Sequence, residues 1–417
     1  MTQTTVGARL SAGTGTRGVL APAPGGRARR PARLRPISPW AFAGVAVASF
    51  GGPLALAALA TPGVAADASD SAGLAMLAAA VAFTVPLAIW LRYSRHIASS
   101  GGLYAFVEAA VGRPVALVQA AIWTFSYLLY IVYTTVQIVY DLLPAVVPGM
   151  GRYQSVLALA IPVALAGVMI AGRAAALLLL GLIAAGQLAL AGILDGVTLA
   201  HIPTPASSFA AGAGASPIAK AGAQTSLLYV CGSLPLFLGG ELAAPRQTIR
   251  RGLTGAFAIS AVAVVLAVAP LAAMPGVLHT QVPGASVAQQ YAGAGLAAAI
   301  GIGVAVSIAG VILCEYLALT RLAHAVGGWG MRRVAAAIGA VVVFAAPFSL
   351  IDPGGFYDTL LQPSLIALWL SQLIVFASYP FFAAKRGQRA WPAWALSLGA
   401  SAFALYGLWT ALQQASS

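Results

Sequence analysis

Residues 49 to 63 read SFGGPLALAALATPG, and the Gly51-Gly52-Pro53 triplet falls near the middle of the first long apolar run of the chain. Glycine exposes backbone, and proline removes a hydrogen-bond donor while clashing with the preceding turn, so this triplet is the poorest choice for a continuous helix. A helix that breaks there must gain something from the break.

The composition places that run in a membrane. The chain is 60% hydrophobic and 7% charged, with 46 glycines, far from the range of soluble domains. Apolar runs of about 20 residues, enough to cross ~30 Å of hydrocarbon, are predicted at 39 to 61, 72 to 91, 113 to 144, 154 to 171, 174 to 199, 223 to 240, 253 to 275, 293 to 320, 333 to 351, 356 to 383 and 391 to 412. Eleven spans are therefore expected.

Charge placement orients them, because Lys and Arg are retained on the cytoplasmic side. Alternate connections carry Arg92, Arg95 and Arg113, then Arg173, then Arg246, Arg250 and Arg251, then Arg321, Arg332 and Arg333, and last Lys385, Arg386 and Arg389. Asp67, Asp70, Asp141, Asp195, Asp352 and Asp358 fall near the opposite face. This predicts a multi-pass protein of the cytoplasmic (inner) membrane, with the N-terminus inside and the C-terminus outside. The net charge of +13 is thereby explained as topological anchors spread over loops, with no aromatic-interleaved patch for nucleic acid. Residues 1–36 read as a disordered basic tail that touches anionic lipid. Cys231 and Cys314 lie within spans and imply neither a disulfide nor a metal site.

The sixth span carries a second interruption, CGSLPL at 231 to 236, five spans after the first. In each half the third span is unusually long. Five being odd, the second half must run inverted relative to the first. Paired interrupted helices in inverted halves are the signature of a secondary transporter with its site at the midplane. The expected organisation is a five-helix repeat over 37–199, an extracellular loop over 200–222, a second repeat over 223–385 and an accessory helix over 386–417. Backbone freed at mid-membrane must meet protein or a ligand. Its N–H groups and the positive end of the following half-helix favour a carboxylate, and its carbonyls favour an ammonium or cation.

Two further stretches carry a family resemblance. ELAAPRQTIRRG, Glu241 to Gly252, resembles the run after the sixth helix of permeases in the amino acid-polyamine-organocation superfamily, and SSGGLYAFVEAAVGR, Ser99 to Arg113, resembles their signature between helices two and three. The resemblance covers roughly 39 to 385. It implies an all-α, LeuT-like fold of two inverted five-helix repeats, with helices 1 and 6 unwound at mid-membrane, and transport of an amino acid by alternating access. Carried over, Ser49, Gly51, Gly52 and Pro53 would bind the substrate carboxylate, and Cys231, Gly232 and Ser233 the amino group. The chain departs from the family in inserting Pro53, in placing Gln187 where many proton-coupled members have a lysine, and in ending one span short of twelve.

On the third span, Trp123, Tyr127, Tyr130, Thr134, Gln137 and Asp141 follow a four-three-four-three-four spacing that predicts one helical face. Trp123, Tyr127 and Tyr130 are candidate cavity walls. Ser307, on the eighth span, is a candidate cation ligand facing helix 1 or a small packing residue. Glu315 is the sole acid well inside a span. It either pairs with Arg321 or an N-terminal arginine as an inner latch, or faces the translocation path and carries a proton. Gln187, Ser307 and Glu315 are thus the coupling candidates, with a proton or sodium ion as co-substrate. His96, His201, His279 and His324 all fall in loops or at span ends, which argues against an embedded enzyme. No repeated polar filter suggests a channel, and no cofactor is implied. Few charges in the cavity point to small or apolar neutral amino acids. The alternative is a transport-inactive sensor that keeps the permease fold. The sequence leaves the oligomeric state open.

Overall fold

The Gly-Gly-Pro triplet does interrupt the first span. In the computed structural model α1, Pro39–Ser49, is followed by Gly51 and Gly52 at φ 71° and 72°, and α2, Pro53–Leu59, begins at the proline. Two successive left-handed residues cannot continue a right-handed helix, and glycine adopts that conformation without a Cβ penalty. The described residues are 35–59, 64, 68, 71–203, 206–227, 229–271 and 274–414. The basic tail up to residue 34, the end of the first predicted span, Asp67, Asp70 and the last three residues lie outside them.

From there the chain runs through α3, Ala72–Ser94, a short α4, Leu103–Val111, and α5, Arg113–Gln137, which continues through a π turn, Ile138–Leu142. Next come α6, Gln154–Ala171, and α7, Arg173–His201. The second half opens with α8, Ala215–Leu227, and a 3₁₀ segment, Val230–Glu241, and continues with α9, Pro245–Leu271, and a short α10, Pro283–Ala292. It closes with α11, Ala294–Gly327, α12, Met331–Ala345, and α13, Pro353–Lys385, and is followed by α14, Ala390–Gln414.

Among the described residues ten helices are long and apolar enough to cross a membrane. They match ten of the eleven predicted spans. The sixth is divided between α8 and the 3₁₀ segment, neither of which would cross alone, and its helix starts at Ala215 rather than 223. Runs of 3₁₀ beyond three or four residues are uncommon. Pro235 within this one withholds a backbone donor that a regular α-helix would use.

The halves share a detail that their sequences do not. In each, a short helix precedes the third span and one glycine joins the two: α4, Gly112 and α5 in the first half, α10, Gly293 and α11 in the second. The glycines have nearly the same backbone angles, φ 99° and ψ 169° against φ 89° and ψ 175°. At the centre, α1 packs on α7, α9, α11 and the 3₁₀ segment, so both interruptions lie inside the protein and away from lipid.

Candidate functional site

The site is built where the two interrupted helices meet. Cys231, Gly232 and Ser233 of the 3₁₀ segment are buried, and a Cβ on Gly232 would overlap the ring of Phe50, the residue that ends α1. The first break thus rests on the second, with glycine as the only side chain that lets them touch.

Beneath the first break lie two of the coupling candidates. Ser307 of α11 donates a hydrogen bond to Gln187 Oε1 of α7, and both side chains are buried. Gly52 sits directly over the pair. A Cβ there would collide with Ser307 Oγ and come within 2.7 Å of Gln187 Oε1. Ser49 is buried beside them, but its hydroxyl is used locally, donating to Ala46 O at 2.8 Å.

The predicted aromatic face is present over most of its length. Trp123 stacks 4.4 Å from Tyr127 and 4.6 Å from Phe237 of the 3₁₀ segment, and the series continues through Tyr130 to Tyr133 and across to Tyr357 of α13. Tyr127 and Tyr130 adjoin the Cys231 thiol, and Glu315 is near enough to interact with all three. Asp141, within the π turn at the end of the series, is exposed and lies near enough to Tyr357 to interact with it.

Several buried polar atoms here have no hydrogen-bond partner among the described residues: Gln187 Nε2, Trp123 Nε1, Tyr127 OH, Ser233 Oγ and both carboxyl oxygens of Glu315. Native interiors pair more than nine in ten such groups. Six of the seventeen such atoms among the described residues lie here, where a polar ligand could pair them.

The expected pairing of Glu315 with Arg321 is not found. The guanidinium of Arg321, 2% exposed, lies with Nε 2.8 Å from Glu241 Oε1, and Arg173 Nη1 lies 2.7 Å from Glu241 Oε2. Six residues along a helix turn a side chain well away from its predecessor, so Arg321 and Glu315 face different neighbours. Glu241 therefore ties together the end of the 3₁₀ segment, the start of α7 and the last third of α11. Ile37 just before α1 joins the same knot, its N–H donating to the Glu241 carbonyl at 2.9 Å. The N-terminal arginines before Arg35, among the other suggested partners of Glu315, lie outside the described residues.

The end of the 3₁₀ segment, just before the first of the two stretches that carried the family resemblance, touches the second. Gly239 and Gly240 leave no room for side chains against Ser99 and Ser100, where a Cβ would sit 3.1 Å from each backbone nitrogen. Gly102 similarly lies under the Phe237 ring. Sequence reasoning missed Phe50, Phe237 and the double role of Glu241. The available signal was an acid placed among arginines on the basic side of the chain, directly after a glycine pair.

In sequence the chain matches no family model and no curated protein. In fold it is similar to MhsT, solved in complex with L-phenylalanine, at TM-score 0.60 and 13% identity over 92% of this chain and 100% of that one. It is also similar to a Na⁺-coupled sialic acid symporter, solved substrate-bound and outward-open, at TM-score 0.58 and 13% identity over 92% and 91% of the two chains. Both are LeuT-fold transporters, and the fold of this chain is theirs. The chain is accordingly an all-α, multi-pass membrane protein. It has two inverted five-helix repeats, each with its first helix interrupted, and one further helix.

Proposed function

We propose that this protein is a secondary transporter, a permease or exchanger, that moves small or apolar neutral amino acids across the cytoplasmic membrane by alternating access. The observation that supports it most is the contact between the two helix breaks, ringed by buried polar atoms without partners and roofed by the Trp123, Tyr127 and Phe237 rings. A zwitterion needs donors for its carboxylate and acceptors for its ammonium. The open backbone at Gly51 and Gly52 supplies the first, and the carbonyls of the 3₁₀ turn at Cys231 to Ser233, with the Ser233 hydroxyl, supply the second. The aromatic rings suit an apolar side chain.

The superfamily resemblance supports the same reading, as does a fold neighbour solved with L-phenylalanine. The Glu241 knot supports alternating access, because four elements of both repeats must separate there to open the arginine-bearing side. Glu315 is the residue we assign to coupling, carrying a proton; the neutral Ser307–Gln187 pair offers no charge for that role.

The test is uptake and counterflow of a radiolabelled amino-acid panel in proteoliposomes, with and without ionophores. Saturable counterflow of one or more neutral amino acids is expected. Binding without counterflow would overturn transport in favour of a sensor.

A further inference from the structure

An apolar groove of about 630 Å³ runs between α5, α11 and α12 on the outer surface of the protein. Its walls are large apolar side chains such as Phe125, Leu128, Leu322, Ile338 and Val341. Small side chains, Ala120, Ala121, Ala323 and Ala337, share the lining. The groove exists because alanine takes these positions on three adjacent helices.

Its length fits one leaflet. Along α5 it extends from Leu117 to Leu128, about 16 Å at 1.5 Å per residue, and half of a ~30 Å hydrocarbon core is about 15 Å. One end is apolar throughout. The other ends at Trp329, 66% exposed, and at the start of α12, where Arg332 and Arg333 are exposed. Arg332 lies beside Gly172 at the turn between α6 and α7, away from the groove, whereas Arg333 is one helical turn before Ala337 on the face that lines it. Neither arginine has an ion pair among the described residues. A one-leaflet apolar slot that ends in an interfacial tryptophan and an unpaired cation is complementary in shape and charge to an anionic phospholipid.

We infer that the groove between α5, α11 and α12 holds one anionic phospholipid, its acyl chain along the apolar lining and its headgroup phosphate at Arg333. The lipid touches the outer faces of two helices whose inner faces carry Trp123, Tyr127 and Glu315. It braces the pair from outside.

The full chain, purified in mild detergent, is titrated with phosphatidylglycerol, phosphatidylethanolamine and phosphatidylcholine of identical chains, and bound lipid is counted by native mass spectrometry. One phosphatidylglycerol should bind about tenfold more tightly than either zwitterionic lipid. Arg333→Gln should bring the three within about twofold while one lipid still binds. Ala337→Phe should remove that lipid whatever its headgroup, and Ala121→Phe, on the opposite wall, repeats the test should the first variant misfold. Equal affinity for all three lipids in the parent overturns the headgroup assignment. Retention of the lipid in a folded Ala337→Phe or Ala121→Phe variant places it elsewhere and overturns the groove. A parent that runs as a dimer, split by Ala337→Phe, would make the occupant a second copy and also overturn the inference.

Discussion

Gly52 has two reasons to be glycine, and they are separable. Its φ of 72° is strained for any residue with a Cβ, costing about 1–2 kcal/mol, and its Cβ position is already taken by Ser307 and Gln187. Gly52→Val should therefore reduce uptake to the level of empty liposomes, while the protein still inserts and elutes as one species. Normal transport by that variant would make the break a simple kink. Glu315 allows a sharper experiment, because its carboxyl is fully buried and has no partner among the described residues. Glu315→Gln mimics a permanently protonated acid. It should lose pH-gradient-driven accumulation by tenfold or so and keep amino-acid counterflow. If it accumulates substrate under a proton gradient as well as the parent does, Glu315 is no proton carrier.

At the scale of elements, the Glu241 knot holds the 3₁₀ segment, α7, α11 and the lead-in to α1 in one place. Removing its carboxylate leaves the Arg321 guanidinium buried without its counter-charge, a change of about 3–5 kcal/mol at such sites. Glu241→Gln should lower the melting temperature. It should also expose the cavity to the arginine-bearing side, read as faster maleimide labelling of Cys231 in a Cys314→Ala background. Adding Arg321→Gln should return part of the lost stability, since it is the unpaired charge that costs most. Unchanged labelling in Glu241→Gln would mean that the knot fastens helices without gating them.

Across the whole molecule, we propose that the arginines at alternate connections and an odd number of crossings put the two ends of the chain on opposite sides. A periplasm-active reporter fused after Ser417 should be active, and a cytoplasm-active one silent. The opposite result would show a miscounted span, the pair α6 and α7 at Gly172 being the place to look. The interruption of the sixth span makes such a count delicate, since neither α8 nor the 3₁₀ segment is long enough to register as a crossing.

The sequence by itself determined the spans and the places where two of them break. Apolar length and the backbone preferences of Gly51, Gly52 and Pro53 are local properties, and no tertiary contact is needed to read them. It also brought Gly52, Gln187 and Ser307 forward as separate candidates, without showing that they touch. Only the tertiary structure decided the partners. Arg321 is six residues from Glu315 in the chain, yet its ion pair is with Glu241, 80 residues away. The π turn from Ile138 to Leu142 changes the helical phase around Asp141, an adjustment that residue spacing assumes away. Which buried polar group finds a partner depends on the packing of five or six helices at once, and no single helical face encodes it.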